Sequence, residues 1–303
     1  MQEESPSERL KSSAVPQMSI QFSILFAISS MLGFGISDFM AKAILNKVSA
    51  FRTVLISQSI GSVLYLVLMV FYDLALPDPR LFLLALLSGS LSAVVLFSFY
   101  KALSLGKASL VSPVSSCLTI VAVVLSFFIL GETLTLLQSA VVASVFLGML
   151  LVAFETSATR SASSNMSILY ALVVVFLGGA NTIVQKWISA SGHYLLGFSL
   201  ARLVMVGFLF SLVPLLGKEI SMPRSTKVYA ILGILGVLDV TAFFAWFLGL
   251  RQGLVSIVTP ISNSSPAITI ILAQIFLRER VHLHQKIGIV TIILGIALLS
   301  AIS

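Results

Sequence analysis

The sequence predicts an all-α, polytopic membrane protein with ten transmembrane helices arranged as two inverted five-helix repeats. Three observations lead to this fold class. Hydrophobic residues make up 58% of the 303 residues and charged residues only 10%, whereas a soluble domain carries roughly 25% charged residues. The apolar residues are gathered in runs of about 20, the length that an α-helix needs to cross a bilayer. The second half of the chain also repeats the pattern of the first.

The apolar runs are separated by short segments of turn and charged residues. Strands of a membrane barrel would be about half as long and would alternate apolar with polar residues, so the runs predict helices. None of the loops is long enough for a soluble domain, so we expect any function to lie within the helices. The runs are Ile20–Ile44, Val54–Tyr72, Leu81–Leu103, Leu110–Leu130, Leu134–Phe154, Ile168–Ile188, Tyr194–Leu216, Val228–Leu250, Leu254–Leu277 and His284–Ile302.

Composition narrows the expected partners of the chain. Residues 1–19 are polar and predict a disordered tail before a retained first span, since the first apolar run is too long for a signal peptide. The single cysteine, Cys117, cannot form a disulfide within the chain. No metal-ligand cluster and no nucleotide-binding loop stands in the sequence, and basic clusters are not interleaved with aromatic residues. We therefore expect no cofactor, metal or nucleic acid, and expect the lipid bilayer and a small-molecule substrate as partners.

The internal repeat is strongest in the last part of each half. Tyr100–Ala153 can be laid on Phe247–Ser300 without a gap, and roughly a quarter of the pairs are identical. The identical pairs include Gly106 with Gly253, Pro113 with Pro260, Glu132 with Glu279 and Gln138 with Gln285. Five helices per half is an odd number, so consecutive halves enter the membrane in opposite orientations, as in many secondary transporters. We assign residues 1–19 to a polar tail, 20–155 to the first repeat, 156–166 to a linker and 167–303 to the second repeat.

Short motifs inside the two halves point to a known family. The first half reads YKALSLGKASLVSP at 100–113, LGETLT at 130–135 and FLGMLLV at 146–152; the second reads GLRQGLVSIVTP at 249–260, LRER at 277–280 and ILGIALL at 293–299. These motifs resemble the EamA-type repeat. The resemblance implies the drug/metabolite transporter superfamily, whose members carry amino acids, sugars, nucleotide sugars or drugs. It implies no particular substrate, and Arg278 stands where the pattern usually has glycine.

Two carboxylates lie inside predicted spans, where an ionised group usually faces a partner or a water-filled cavity. Asp38 is one helical turn from Lys42, so it could pair with this lysine or bind a substrate or a proton. Asp239 has no charged neighbour within a helical turn, and it therefore lines water or needs a partner from another helix. The basic candidates for that partner are Arg251, Arg202 and Lys186.

Other polar and aromatic side chains complete the predicted substrate site. Asn181 and Gln185 share one helix face, and amides inside a membrane either join helices or contact substrate. Asn263 belongs to a polar patch midway along the ninth run that either lines a cavity or permits close helix packing. Aromatic residues could form a pocket wall. The predicted substrate-binding residues are Phe34, Ser37, Asp38, Tyr100, Asn181, Gln185, Asp239, Trp246 and Asn263.

Each half has a glycine and a proline at the start of its fourth helix, Gly106 with Pro113 and Gly253 with Pro260. A proline inside a span removes a backbone hydrogen bond and can kink the helix. The two pairs are therefore candidate gating or hinge positions, with a purely structural role in packing as the alternative.

Four further charged residues occupy matching positions in the two halves. Glu132 and Glu279 follow the fourth and ninth helices, and we expect each to cap the first turn of the next helix rather than to carry a proton. Arg52 and Arg202 could bind an anionic group, but we expect them to extend to the membrane surface.

Together these features predict a secondary-active transporter, an exporter of small metabolites such as amino acids, working by alternating access with a proton as the candidate coupling ion. The alternatives are a nucleotide-sugar or sugar-phosphate exchanger, which needs a strongly basic cavity, and a non-transporting membrane protein. An enzyme is not expected, because no pair of carboxylates suggests catalysis. We expect the plasma membrane as the location. Lys and Arg near the helix ends favour outside termini, whereas the resemblance implies inside termini, so the orientation stays open.

Overall fold

Helices account for the secondary structure of the described chain. The computed structural model describes residues 17–45, 47–70, 78–106, 108–153, 162–216, 225–276 and 282–302, and none of these residues lies in a strand. The helices are α1 (Gln17–Leu45), α2 (Ala50–Val70), α3 (Pro79–Leu105), α4 (Ala108–Ser116), α5 (Leu118–Leu125), α6 (Leu136–Ala153), α7 (Ala162–Val173), α8 (Gly179–Ser189), α9 (Tyr194–Ser211), α10 (Val213–Leu216), α11 (Thr226–Gln252), α12 (Val255–Ser262), α13 (Pro266–Phe276) and α14 (Leu283–Ile302). Two π-helical turns, Ser126–Leu130 and Val174–Gly178, follow α5 and connect α7 to α8.

Nine stretches of the described residues are long and apolar enough to cross a membrane. Three of them are composite, because α4 with α5, α7 with α8, and α12 with α13 each form one span. The remaining predicted span is α6, whose apolar part, Leu136–Val152, is shorter. The all-helical, multi-pass prediction is therefore confirmed, and the count of ten crossings stays a prediction.

The start of α6 is fixed by a reciprocal capping arrangement. The backbone N–H of Gln138 donates to the Thr135 hydroxyl at 3.2 Å, and the Thr135 N–H donates to the Gln138 side-chain oxygen at 3.0 Å. This is the capping box, which satisfies two N–H groups that the first helical turn leaves unpaired. The helix therefore begins at Leu136.

Spans four and nine are both interrupted after an internal proline. Pro113 lies inside α4 and Pro260 inside α12, and each helix ends within about one turn of its proline. Proline has no N–H for the helical ladder, and its ring crowds the preceding turn. The next segment resumes at Leu118 in the first half and at Pro266 in the second, where proline suits the first helical position. The helices are therefore interrupted next to the two prolines, whereas bending or movement at these places stays a prediction.

The two halves pack against each other along most of their length. Helix α1 lies along α11, α3 along α9, α6 along α14 and α2 along α11, and each of these pairs joins the first half to the second. Small residues allow the close approach, as is usual between helices in membranes. At the crossing of α2 and α11, Gly236 lies directly against the backbone of Ser57. The space between the halves is thus the natural place for a cavity.

Some sequence-based assignments fall on other parts of the chain. The polar tail up to residue 16, residues 156–161 of the linker, and Arg278 and Glu279 lie outside the described residues. Helix α7 begins at Ala162, inside the segment assigned to the linker.

The contact at Gly236 gives a test of the packing. A Cβ atom at this position would lie 2.2 Å from the Ser57 carbonyl oxygen. Gly236→Ala should therefore lower the midpoint of thermal unfolding in detergent, because overpacking typically costs about 1–3 kcal/mol. Gly233→Ala on the same helix is the matched control, because a Cβ there meets nothing within 4 Å. Equal unfolding midpoints for the two variants would contradict this packing.

Candidate functional site

A cavity of about 140 Å³ lies between the two halves. Its described walls come from α1, α3, α4 and α5 of the first half and from α8, α9, α11 and the segment after α12 of the second. Eight of the nine predicted substrate-binding residues line it: Phe34, Asp38, Tyr100, Asn181, Gln185, Asp239, Trp246 and Asn263. The structure therefore brings together residues that are far apart in the sequence.

Helical spacing explains which side chains face the cavity. Phe34 and Asp38 are four residues apart on α1, and Asn181 and Gln185 are four residues apart on α8. This spacing places two side chains on the same helix face. Ser37 is not among the lining residues; it is buried, and its hydroxyl donates to the Phe34 carbonyl at 3.1 Å. The structure thus places Ser37 off the cavity face, next to residues that lie on it.

Asp239 has an indirect partner in Arg202. The Gln58 side-chain amide donates to an Asp239 carboxylate oxygen at 2.8 Å, and Arg202 Nη1 donates to the Gln58 oxygen at 3.2 Å. All three side chains are buried. Because a buried charge is costly without a partner, this chain of hydrogen bonds lets the carboxylate and guanidinium compensate each other.

Arg202 does not extend to the membrane surface, so that expectation was wrong. The residue lies in the middle of α9, too far from either helix end, and only 4% of it is exposed. Its guanidinium carbon lies 3.9 Å from the centroid of the Phe243 ring, with the Phe198 and Tyr65 rings also within cation–π distance. These aromatic faces and the Asp239 carboxylate replace water around the charge.

The other two candidate partners of Asp239 bind elsewhere. Arg251 donates to the carbonyl oxygens of Ser189 and Ser191 and lies over the Tyr194 ring. Lys186 donates to backbone carbonyls at the end of α11, as described below. Gln58 was not expected in the site, because a lone glutamine in an apolar run gives no signal of the residue it meets.

Asp38 faces the cavity from α1 and is close enough to Asp239 for the two carboxylates to interact. Arg202 is the one basic side chain among the described cavity-lining residues. Lys42, the partner suggested by the sequence, directs its ammonium to the carbonyl oxygens of Leu103 and Gly106, at 2.8 and 2.7 Å. The described part of the cavity therefore holds two carboxylates and one guanidinium.

The amide side chains in the cavity keep acceptor atoms without a protein partner. Asn181 and Gln185 both direct their NH₂ groups to the Ser92 hydroxyl, at 2.9 and 3.5 Å. Their side-chain oxygens have no hydrogen-bond partner among the described residues, and the same holds for the hydroxyls of Ser112 and Ser115. Buried polar atoms are usually paired. Arg202 Nη2 is likewise without a partner among the described residues, and five unpaired polar groups around one cavity are typical of a binding site.

A charged contact joins the two halves at the start of α12. The Glu132 carboxylate accepts hydrogen bonds from the backbone N–H groups of Val255 and Ser256, at 2.8 and 2.9 Å, and from the Ser256 hydroxyl at 2.7 Å. These groups form the first turn of α12, where free N–H groups and the helix dipole favour an anion. Glu132 was expected to cap the first turn of the next helix, α6, and that expectation was wrong. Glu132 caps α12 of the other half, while Thr135 and Gln138 cap α6.

Two lysines bind helix ends at equivalent places. Lys186 donates to the carbonyls of Leu250 and Gly253 at the end of α11, just as Lys42 donates to those of Leu103 and Gly106 at the end of α3. A cation is stabilising there, since the last carbonyls of a helix are unpaired and carry the negative end of its dipole. The predicted hinge glycines are therefore lysine-bound helix ends.

Lys186 and Glu132 are also close enough to attract each other. We name the group formed by Glu132, Lys186, the end of α11 at Gly253 and the start of α12 at Val255 the cross-half latch. A Cβ atom at Gly253 would lie 2.4 Å from the Ser23 hydroxyl of α1, so the latch also contacts the first span closely.

Comparison with known proteins agrees with this architecture. The model of the EamA-like transporter family matches residues 21–154 and again residues 165–301. A solved structure covers 93% of this chain and 99% of its own with a TM-score of 0.73 at 17% identity, which shows a shared fold.

Two archaeal relatives each match less than half of the chain. An uncharacterised protein of Methanocaldococcus jannaschii is 34% identical over 134 residues, which cover 44% of this chain and 96% of that protein. An uncharacterised transporter of Archaeoglobus fulgidus is 32% identical over 137 residues, which cover 44% of this chain and 46% of that protein. The first relative is thus about as long as one half of this chain, which fits a repeat unit.

The Asp239–Gln58–Arg202 chain can be tested by removing its cation. Arg202→Met leaves the Asp239 carboxylate buried without compensation, which should lower the free energy of unfolding by about 3–5 kcal/mol. The double variant Arg202→Met/Asp239→Asn should regain part of that loss. Arg251→Met removes an exposed arginine and should cost at most about 1 kcal/mol. An Arg202→Met protein as stable in detergent as the Arg251→Met protein would contradict the assigned pairing.

The cross-half latch predicts a stability difference between two neighbouring positions. In Glu132→Gln an NH₂ group replaces one acceptor oxygen and faces an N–H of α12, so the unfolding free energy should fall by about 1–3 kcal/mol. Thr133→Ala changes the exposed neighbour and should leave the unfolding midpoint unchanged. A Glu132→Gln midpoint no lower than that of Thr133→Ala would rule out the latch as a stabilising contact.

Proposed function

The chain belongs to the EamA-like transporter family, and from this premise we propose that it is a secondary-active transporter of small metabolites that works by alternating access. Transport across a membrane is the general activity of the family. The substrate, the direction of movement and the mechanism are the parts that we infer from the geometry.

One observation supports transport most strongly. A cavity with charged and amide side chains lies between two halves that are otherwise apolar. Polar and ionisable groups within a membrane are costly, and they commonly mark the path of a substrate or ion. A site formed jointly by two repeats can be exposed to either side when one repeat moves against the other.

The cross-half latch suggests how access is controlled. We infer ten crossings with opposite orientations of the two halves, so that the Lys186 end of α11 and the Lys42 end of α3 lie toward opposite membrane surfaces. In this scheme, Glu132 holds α12 against the first half and closes one side of the cavity. Opening that side requires the first turn of α12 to leave the Glu132 carboxylate. The interruptions after Pro113 and Pro260 give the spans α4 with α5 and α12 with α13 a place to bend.

Asp38 is the candidate site for a coupled proton. It faces the cavity, and the charged and titratable groups that line the cavity around it are Asp239, Arg202 and Tyr100. Since Arg202 compensates Asp239, Asp38 is the carboxylate that can take up and release a proton without breaking a hydrogen-bonded pair. Proton uptake there would link solute movement to the proton gradient of the plasma membrane, with export as the proposed direction.

The cavity does not favour the exchanger of nucleotide sugars or sugar phosphates. Such substrates carry phosphate groups, which need several basic side chains. The described lining supplies Arg202 alone, and Asp239 already balances its charge through Gln58. The other alternative, a membrane protein without transport activity, is decided by the flux measurement below.

Flux in reconstituted vesicles tests the proposed activity. Purified protein in proteoliposomes loaded with unlabelled solute should accumulate labelled solute by counterflow for at least one member of a panel of amino acids, amines, sugars and nucleotide sugars. The control is protein-free liposomes. Flux no higher than this control for the whole panel would contradict the proposal.

The proposed role of Asp38 predicts a loss of pH dependence. Transport by the unaltered protein should respond to an imposed pH gradient, whereas transport by Asp38→Asn should not, because the asparagine amide takes up no proton in this pH range. Asp78→Asn is the matched control: it removes the same charge at an exposed helix cap, where asparagine also caps well. An unchanged response to the gradient in Asp38→Asn would remove Asp38 from proton coupling.

A further inference from the structure

The charges of the cavity do not balance. Two carboxylates, Asp38 and Asp239, and one guanidinium, that of Arg202, are its described charged groups. Arg202 compensates Asp239 through Gln58, to which Nη1 donates, and its guanidinium lies against the Phe243 ring. Its other terminal nitrogen, Nη2, is buried and has no hydrogen-bond partner among the described residues. Counted as ions, Arg202 and Asp239 cancel, and an ionised Asp38 is the charge among the described lining residues that remains without an opposite one.

The two amide side chains present acceptors to the cavity, whereas the unpaired Ser112 and Ser115 hydroxyls can accept or donate. The Asn181 and Gln185 NH₂ groups are directed to Ser92, which leaves their carbonyl oxygens without a partner among the described residues. Both residues are more than nine-tenths buried and line the cavity. A ligand that donates hydrogen bonds can satisfy these oxygens, whereas a ligand that only accepts cannot.

Aromatic rings form the wall on the α1 and α11 side. Phe34 and Phe243 meet edge to face at 4.9 Å between centroids, and Phe243 and Trp246 meet in the same way at 5.8 Å. All three residues line the cavity. Ring faces attract organic cations and pack against apolar bodies. The cavity volume of about 140 Å³ is close to that of a cavity of about 150 Å³ that holds benzene.

From these observations we propose that the cavity binds a small, singly charged organic cation: an amine with a compact apolar or aromatic body, whose ammonium group lies at Asp38 and donates to the Asn181 and Gln185 oxygens. The proposal rests on the proposed transport function and names the substrate class for it. An ammonium group supplies the missing positive charge and the missing donors together, and the aromatic wall holds the body of the molecule.

The same geometry discriminates against zwitterions and anions. The carboxylate of an amino acid would meet two carboxylates, Asp38 and Asp239, against the single guanidinium of the described lining, whose charge Asp239 already balances through Gln58. A repulsive contact of this kind gives specificity by excluding the wrong ligand. The cavity should therefore prefer an amine to the amino acid that has the same side chain.

Four phenyl compounds that differ in charge test this preference. They are phenethylamine (cation), phenylalanine (zwitterion), 3-phenylpropionate (anion) and 2-phenylethanol (neutral). Binding to the purified full chain is measured by calorimetry and by thermal shift in detergent. Phenethylamine should bind. The affinity of the other three compounds should be lower by about tenfold or more, as expected for the loss of a charge-assisted hydrogen bond. Tighter binding of phenylalanine or of 3-phenylpropionate would overturn the proposal.

Variants locate the charge that is responsible. Asp38→Asn should weaken phenethylamine binding by about tenfold or more, by the same argument. Asp38→Glu keeps the charge and should retain most of the affinity, and the exposed control Asp78→Asn should leave it unchanged. Phenethylamine binding that is equal in Asp38→Asn and in the unaltered protein would place the cation elsewhere and overturn the proposal.

Flux of benzylguanidinium, a cation that stays charged at neutral pH, donates hydrogen bonds through its N–H groups and crosses lipid poorly, tests the substrate class separately from transport. Counterflow of this cation in proteoliposomes, lost in Asp38→Asn, supports both the substrate class and transport. Counterflow of amino acids or anions without flux of the cation overturns the substrate class and leaves transport standing. Binding of phenethylamine without flux of any solute supports the binding site and contradicts transport.

Discussion

The structure depends on one constraint: a charge inside the bilayer must find its partner within the protein. All but one of the following charged groups meet this constraint through a partner in the protein. Asp239 and Arg202 compensate each other through Gln58. Lys42 and Lys186 bind the carbonyl ends of helices, and Glu132 binds the amide end of one. Asp38 is the exception, because it faces the cavity, and this exception is where we expect function.

Helix ends serve as partners because a very short turn joins the third span of each half to the fourth. Helices α3 and α11 stop at Gly106 and Gly253, and a new helix begins within a few residues. Each turn places the negative end of one helix close to the positive end of the next, and a lysine binds the negative end. At the turn in the second half, the positive helix end is bound by Glu132, a carboxylate of the first half. These turns therefore do more than reverse the chain, since the one in the second half takes part in a contact that joins the two halves.

Much of this fold could be read from the sequence, because it follows from local rules. Apolar runs of spanning length predicted the helices, and Pro113 and Pro260 predicted the interruptions. Spacing of four residues on one helix predicted that Asn181 and Gln185 share a face, and both side chains line the cavity. The internal repeat pointed to two equivalent halves, which the family comparison supports.

The parts that the sequence did not predict are contacts between helices. Arg202 resembles a residue that extends to the surface until its aromatic neighbours are known. Gln58 and Ser92 gave no signal at all, because their importance comes from what faces them across the interface. Glu132 carries a capping pattern, but only the tertiary structure tells which helix it caps. These residues share one property: each has a hydrogen-bond partner in the other half of the chain.

The central claim is that the two halves enclose a water-accessible cavity that opens to each side in turn. It is tested most directly by thiol accessibility at the half-buried, cavity-lining Asn263. In a Cys117→Ala background, Asn263→Cys is treated with a membrane-impermeant thiol reagent in right-side-out and in inverted vesicles, with Thr133→Cys as an exposed control. The account predicts reaction from both sides, with the balance between the sides shifted by substrate. Reaction from neither side, while the control reacts, would contradict it.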